Sequence, residues 1–169
     1  MPQEKVIDPS HFTPDVVALI RFLHSHEVRF MIVGGEAVIY YGHIRFTGDV
    51  DIFYDVSPEN TQRLYQALLE FWNGEIPALD GPDDLRAKGQ IFQFGLPPNR
   101  IDLLNQIDGV EFADAWRKRA VVVLALQPDP LEFSFIGLED LIENKRAAAR
   151  AKDLDDLPYL ISARDAEPE

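Results

Sequence analysis

Val16, Leu19, Ile20 and Leu23 recur at the spacing of one helix face. Thr13-Pro14-Asp15 ahead of them supplies an N-cap, a proline at the first helical position and an early acid, which predicts a helix over residues 14–26. The period then changes. Residues 29–33 read as a short strand that Gly34-Gly35 ends abruptly, 36–41 as a brief helix, and 49–54 as a second strand by alternation. Ser57-Pro58-Glu59 repeats the helix-start signature, and Leu64, Leu68, Leu69 and Trp72 mark the inner face of a helix that runs to about Trp72. Residues 73–88, rich in Gly, Pro and Asp, are expected to be a loop. Strands follow at 90–94 and 100–105 around the turn-forming 95–99, then a helix over 110–119 and strands near 121–126 and 132–136. The strongest helical pattern lies at 138–152, and 154–161 either continues it or forms a separate short helix. Interleaved helices and strands predict an α/β (α+β) fold, a mixed β-sheet flanked by helices with further helices at the C-terminal end.

Composition narrows the class. With 169 residues, 46% hydrophobic and 27% charged, the chain has the profile of one soluble globular domain over 1–169, with an acidic segment over about 153–169. No apolar run is long enough to span a membrane. The opening residues lack the apolar stretch of a signal peptide, so a cytoplasmic location is expected. Without cysteine there is neither a disulfide nor a thiolate metal site. Sixteen basic against 29 acidic side chains leave a net charge of −13, which disfavours extended nucleic-acid binding and suits a compact or locally bound substrate.

Against that background Asp49 and Asp51 stand out. Two apart on a strand, their carboxylates leave the same face about 7 Å from each other and repel by about 2 kcal/mol at an effective dielectric near 20. Both can face water on an edge strand. A divalent cation offsets the repulsion directly, since paired oxygen ligands are what Mg²⁺ accepts while it also carries phosphate. Gly34-Gly35, between a strand and a helix, is a place where bare amides and the positive helix end approach a phosphate.

Val33-Gly34-Gly35 followed, after a spacer over residues 36–48, by Asp49-Val50-Asp51 resembles the nucleotidyltransferase superfamily of polymerase-β type. With Ala37-Val38, Tyr41-Gly42, Arg45 and Thr47 between, the stretch is similar to the small bacterial AbiEii-like group. The resemblance implies a nucleotidyltransferase-like fold in which Asp49 and Asp51 hold Mg²⁺ or Mn²⁺ and Gly34 and Gly35 help hold a nucleoside triphosphate (NTP). It also implies a third carboxylate on a neighbouring strand. Asp102 within Ile101-Asp102-Leu103-Leu104 matches that setting and would be a general base, with a salt bridge to Arg100 or another base as the alternative. Arg45 and Thr47, just ahead of the aspartates, are expected at the phosphates or at the surface.

The 138–152 segment adds a second match. On a continuous helix Leu138, Leu141, Ile142 and Asp156 all fall within about 60° of Lys145, so a lysine and an aspartate share the core-facing stripe. Lys145 then snorkels, pairs with Asp156, or points into the cleft to neutralise the triphosphate. Asn144, Lys145, Ala148, Arg150, Lys152, Asp153 and Asp156 also resemble the C-terminal motif of the AbiEii-like group. Together the two matches imply a metal-dependent enzyme transferring a nucleoside monophosphate from an NTP to a hydroxyl of a protein, a small molecule or RNA. Such an enzyme can be the toxin of a toxin–antitoxin pair, with a cognate antitoxin as partner. A non-catalytic nucleotide- or partner-binding protein retaining the fold is the alternative.

Overall fold

The alternating residues around the two aspartates occupy the interior of a seven-stranded sheet. The computed structural model describes residues 5–167. Its elements are, in chain order, β1 (Lys5–Ile7), α1 (Pro14–Ser25), β2 (Phe30–Val33), α2 (Gly34–Tyr40), β3 (Asp49–Tyr54), α3 (Pro58–Phe71), β4 (Ile91–Phe94), β5 (Arg100–Leu104), α4 (Phe112–Arg117), β6 (Ala120–Leu124), β7 (Leu131–Phe135), α5 (Leu138–Ala148) and α6 (Ala151–Ala166). The strand order β1-β6-β7-β2-β3-β5-β4 mixes parallel and antiparallel pairs: β3 runs antiparallel to β2 and parallel to β5. The result is the mixed, helix-flanked sheet of a nucleotidyltransferase-like α/β domain.

Local chemistry starts the helices where the pattern places them. The Thr13 hydroxyl accepts the Val16 N–H, the Ser57 hydroxyl accepts the Asn60 N–H, and Pro14 and Pro58 open α1 and α3 without wasting a donor. Val16, Leu19, Ile20 and Leu23 of α1 and Leu64, Ala67 and Leu68 of α3 are buried where the two helices pack together. Each large apolar side chain buried this way contributes about 1.5–3 kcal/mol.

Four departures from the sequence pattern stand out among the described residues. β1 was not expected; it is a three-residue strand pairing parallel to β6 at the sheet edge. The first helix after β2 begins at Gly34, not Glu36, so both glycines lie in its first turn. The 73–88 loop contains a 3-10 turn at Pro82–Arg86 and is tied to the sheet by buried Asn105. The Asn105 amide donates to the Tyr54 hydroxyl and to the Leu85 and Ala87 carbonyls, and its oxygen accepts the Gly89 N–H.

The fourth departure matters most for function. The 138–152 helix is two helices: Ala149 takes a left-handed conformation (φ 51°) and Arg150 an extended one. The angular argument for a continuous helix therefore does not apply. Asp156 still meets Lys145, because α6 turns back to pack on α5. α6 continues to Ala166 through Pro158, well past the expected end at 161.

No helix among the described residues is long and apolar enough to cross a membrane. Residues 1–4 of the opening segment and 168–169 of the acidic segment lie outside the described residues.

Candidate active site

Strand register places the acids. β3 and β5 are parallel neighbours with Asp49 beside Arg100 and Asp51 beside Asp102, so side chains of matching parity share one face. Asp49, Asp51 and Asp102 converge there, with one oxygen of each within 4.8 Å of the others. Val50 and Ile52 point the opposite way into the core, fixing the strand from behind.

Glycine makes this density of charge possible. Gly34 has φ +67°, and a Cβ on it would stand 2.0 Å from Asp51 Oδ2. A Cβ on Gly35 would meet the Thr47 hydroxyl at 2.7 Å. The Gly-Gly pair thus admits the carboxylate of β3 and the loop before it against the start of α2, a demand additional to any phosphate contact.

Among the described residues, Arg100 is the arginine that forms ion pairs with the triad. The Arg100 guanidinium donates to Asp49 Oδ2 (2.6 Å) and to Asp102 Oδ2 (3.2 Å). Its Nε lies 3.1 Å from Asp102 Oδ1, yet the pair is misaligned, and both buried atoms lack a hydrogen-bond partner. Asp102 thus lies beside the other two acids and also pairs with Arg100. Burial first, then the Asp49 and Asp102 charges, push the Asp51 carboxyl up to about 7. Burial also raises Asp102, against the pull of Arg100. Three carboxylates with one arginine, including a buried oxygen without a hydrogen-bond donor, form a donor set that fits a hard divalent cation.

The triad lies in an open cleft of about 520 Å³, whose walls include Gly34, Gln93, Gln106, Asn144, Arg150 and Lys152. Lys145 is at its base and only 2% exposed. The Lys145 ammonium lies 3.0 Å from Asp153 Oδ1 and 3.1 Å from Asp156 Oδ2, both carboxylates being fully buried. Arg45 is also committed: Nε and Nη2 grip Asp156 at 2.9 and 3.2 Å. The Thr47 hydroxyl lies 3.2 Å from the Asp49 carboxylate, to which it donates. Among the residues expected at the phosphates, then, Lys145 and Arg45 close a second buried cluster on α6, and Thr47 orients a triad acid. His43, whose ring stacks on Tyr159, lies 3.2 Å from Asp156 in the same cluster. Burial opposes ionisation of Asp153, but Arg150 and Lys145 outweigh it and hold its carboxyl below the ordinary range.

Arg150 and Lys152, expected from the sequence as members of the Lys145 motif, also line the cleft. Their signal was their place in that motif, and the break at Ala149 sets where they stand on the cleft wall.

Fold and site together define a nucleotidyltransferase-like domain. The chain belongs to the family described as "Nucleotidyltransferase of unknown function (DUF6036)", which matches residues 15–162 and so includes the acid triad and the Lys145 motif. No curated protein matches the chain.

Proposed function

We propose that the protein is a metal-dependent nucleotidyltransferase that moves a nucleoside monophosphate from an NTP to an acceptor hydroxyl and releases pyrophosphate. The observation that carries this reading is the convergence of Asp49, Asp51 and Asp102 in a cleft, with too little positive charge to balance them. A divalent cation such as Mg²⁺ or Mn²⁺ held by these three carboxylates would neutralise phosphate oxygens and make the acceptor hydroxyl easier to deprotonate. In the transfer itself the acceptor oxygen bonds to the α-phosphorus, and the bond from that phosphorus to the bridging oxygen breaks. The electron pair leaves with pyrophosphate, and the hydroxyl proton passes to Asp102, whose burial raises its proton affinity. Arg100 keeps Asp49 and Asp102 oriented, Gly34 and Gly35 let the triphosphate approach the start of α2, and Lys145, Arg45 and Thr47 hold the walls in place.

The acceptor is a protein side chain, a small alcohol or an RNA end, and the net charge of −13 favours the first two. The likeness of residues 33–51 and 144–156 to the AbiEii-like group supports a toxin role, in which transfer disables a cellular target and a cognate antitoxin restrains it. Incubating wild type and an Asp49→Asn/Asp51→Asn variant with labelled NTPs, Mg²⁺ and cell extract tests the chemistry. Labelling by wild type alone is expected, and equal labelling by both proteins would sink the proposal. NTP binding without any labelling would identify a binding protein that keeps the fold. For the toxin role, growth arrest on expression should disappear with Asp49→Ala.

A further inference from the structure

Among the described residues four cations line the cleft: Arg100, Lys145, Arg150 and Lys152. Three of them are already matched to carboxylates. Arg100 lies on Asp49 and Asp102. Lys145 is enclosed by Asp153 and Asp156, and Arg150 donates through Nε to Asp153 at 2.7 Å. Among the described residues Lys152 has no ion-pair partner, and its side chain is exposed on the cleft wall.

The backbone explains how Lys152 comes to be there. Ala149 in its left-handed conformation stops α5, and Asp153 accepts the Arg150 N–H at 3.2 Å, so α6 restarts in a new direction. Lys145, Asp153, Asp156 and Arg45 lock the resulting elbow from beneath. Arg150 and Lys152 are thereby held on the wall of the cleft that contains the triad, and the positive field of Lys152 reaches Asp51.

We propose that Lys152 binds the β- and γ-phosphates of the NTP and the pyrophosphate that leaves, and that Lys145 is a positioning residue which acts by holding the elbow. This assignment rests on the nucleotidyl-transfer reading and adds the residue that receives the leaving group. An unmatched ammonium facing a metal-binding triad is placed to take up the charge that the triad end of a triphosphate does not neutralise.

Calorimetric titration of Lys152→Gln and Lys152→Arg with inorganic pyrophosphate, ATP and AMP, each with Mg²⁺, tests it. Lys152→Gln should weaken pyrophosphate and ATP by about ten- to a hundredfold, leave AMP within about twofold, and melt with wild type. Lys152→Arg should recover most of the loss. Unchanged pyrophosphate affinity in Lys152→Gln, equal losses for AMP and ATP, or no pyrophosphate binding by wild type would each overturn the assignment. These titrations need neither acceptor nor turnover. Pyrophosphate binding that depends on Lys152 in a protein that labels nothing would end the transfer reading and leave this one standing. Acid-dependent labelling that Lys152→Gln does not diminish would do the reverse.

Discussion

Two groups of acids lie within one fold and are treated in opposite ways. Asp153 and Asp156 are completely buried, yet Lys145, Arg45 and Arg150 surround them, so the group is closed and charge-compensated. Asp49, Asp51 and Asp102 sit in an open cleft where Arg100 pairs with Asp49 and Asp102, so the group keeps unspent negative charge. Burial alone does not separate a charge-compensated acid from an uncompensated one. Charge balance does.

The sharpest way to break the contrast is to remove the charge of the open group. Asp49→Asn/Asp51→Asn should lower NTP-dependent labelling about a thousandfold or more while the melting temperature holds or rises, because the loss is of ligands and the gain is relief of like-charge repulsion. The same kind of change in the closed group should act on the fold. Lys145→Met leaves two buried carboxylates short of a partner and should cost about 3–5 kcal/mol in urea unfolding. Gly34→Ala forces a side chain into a positive-φ position already filled by Asp51, and should cost about 1–3 kcal/mol together with metal affinity measured by calorimetry.

The mildest distinction is in pH. Asp51 is raised to about 7 from an ordinary value of 3.8, so between those values the folded chain holds a proton that the unfolded chain has lost. Metal-free stability should therefore fall as pH rises from about 4 to 7, while Mn²⁺ affinity should grow by up to about tenfold per pH unit over the same range and level off above it. Asp153, lowered by its cations, should contribute the opposite slope, with stability lost only as strongly acid pH protonates it.

The open group was the more legible of the two in the sequence. Asp49 and Asp51 declare a shared face by simple alternation, and Asp102 is conspicuous among Ile101, Leu103 and Leu104. Most helices and strands were equally visible through caps and period. β1 was not, because three residues on an edge carry too short a pattern and owe their conformation to β6, more than a hundred residues away. The α5–α6 elbow was hidden for a different reason. Ala147-Ala148-Ala149 favours a continuous helix and no glycine marks the break; the stop is enforced by Asp153 capturing the Arg150 backbone and by α6 closing on Lys145. Local propensity could not announce a turn that distant charges impose, so although spacing already paired Lys145 with Asp156, its second partner Asp153 and the Arg45–Asp156 pair were beyond reach of spacing arguments.

The interior position of β3 governs how the protein ages under stress. Its backbone is laddered to β2 on one side and β5 on the other, so Asp49 and Asp51 cannot change their spacing without parting the middle of the sheet. Amide hydrogens of Val50 and Ile52 should be among the last to exchange with solvent, long after those at the elbow and along residues 42–48. On slow warming the elbow and residues 42–48 should loosen before the carboxylates of β3 lose their spacing.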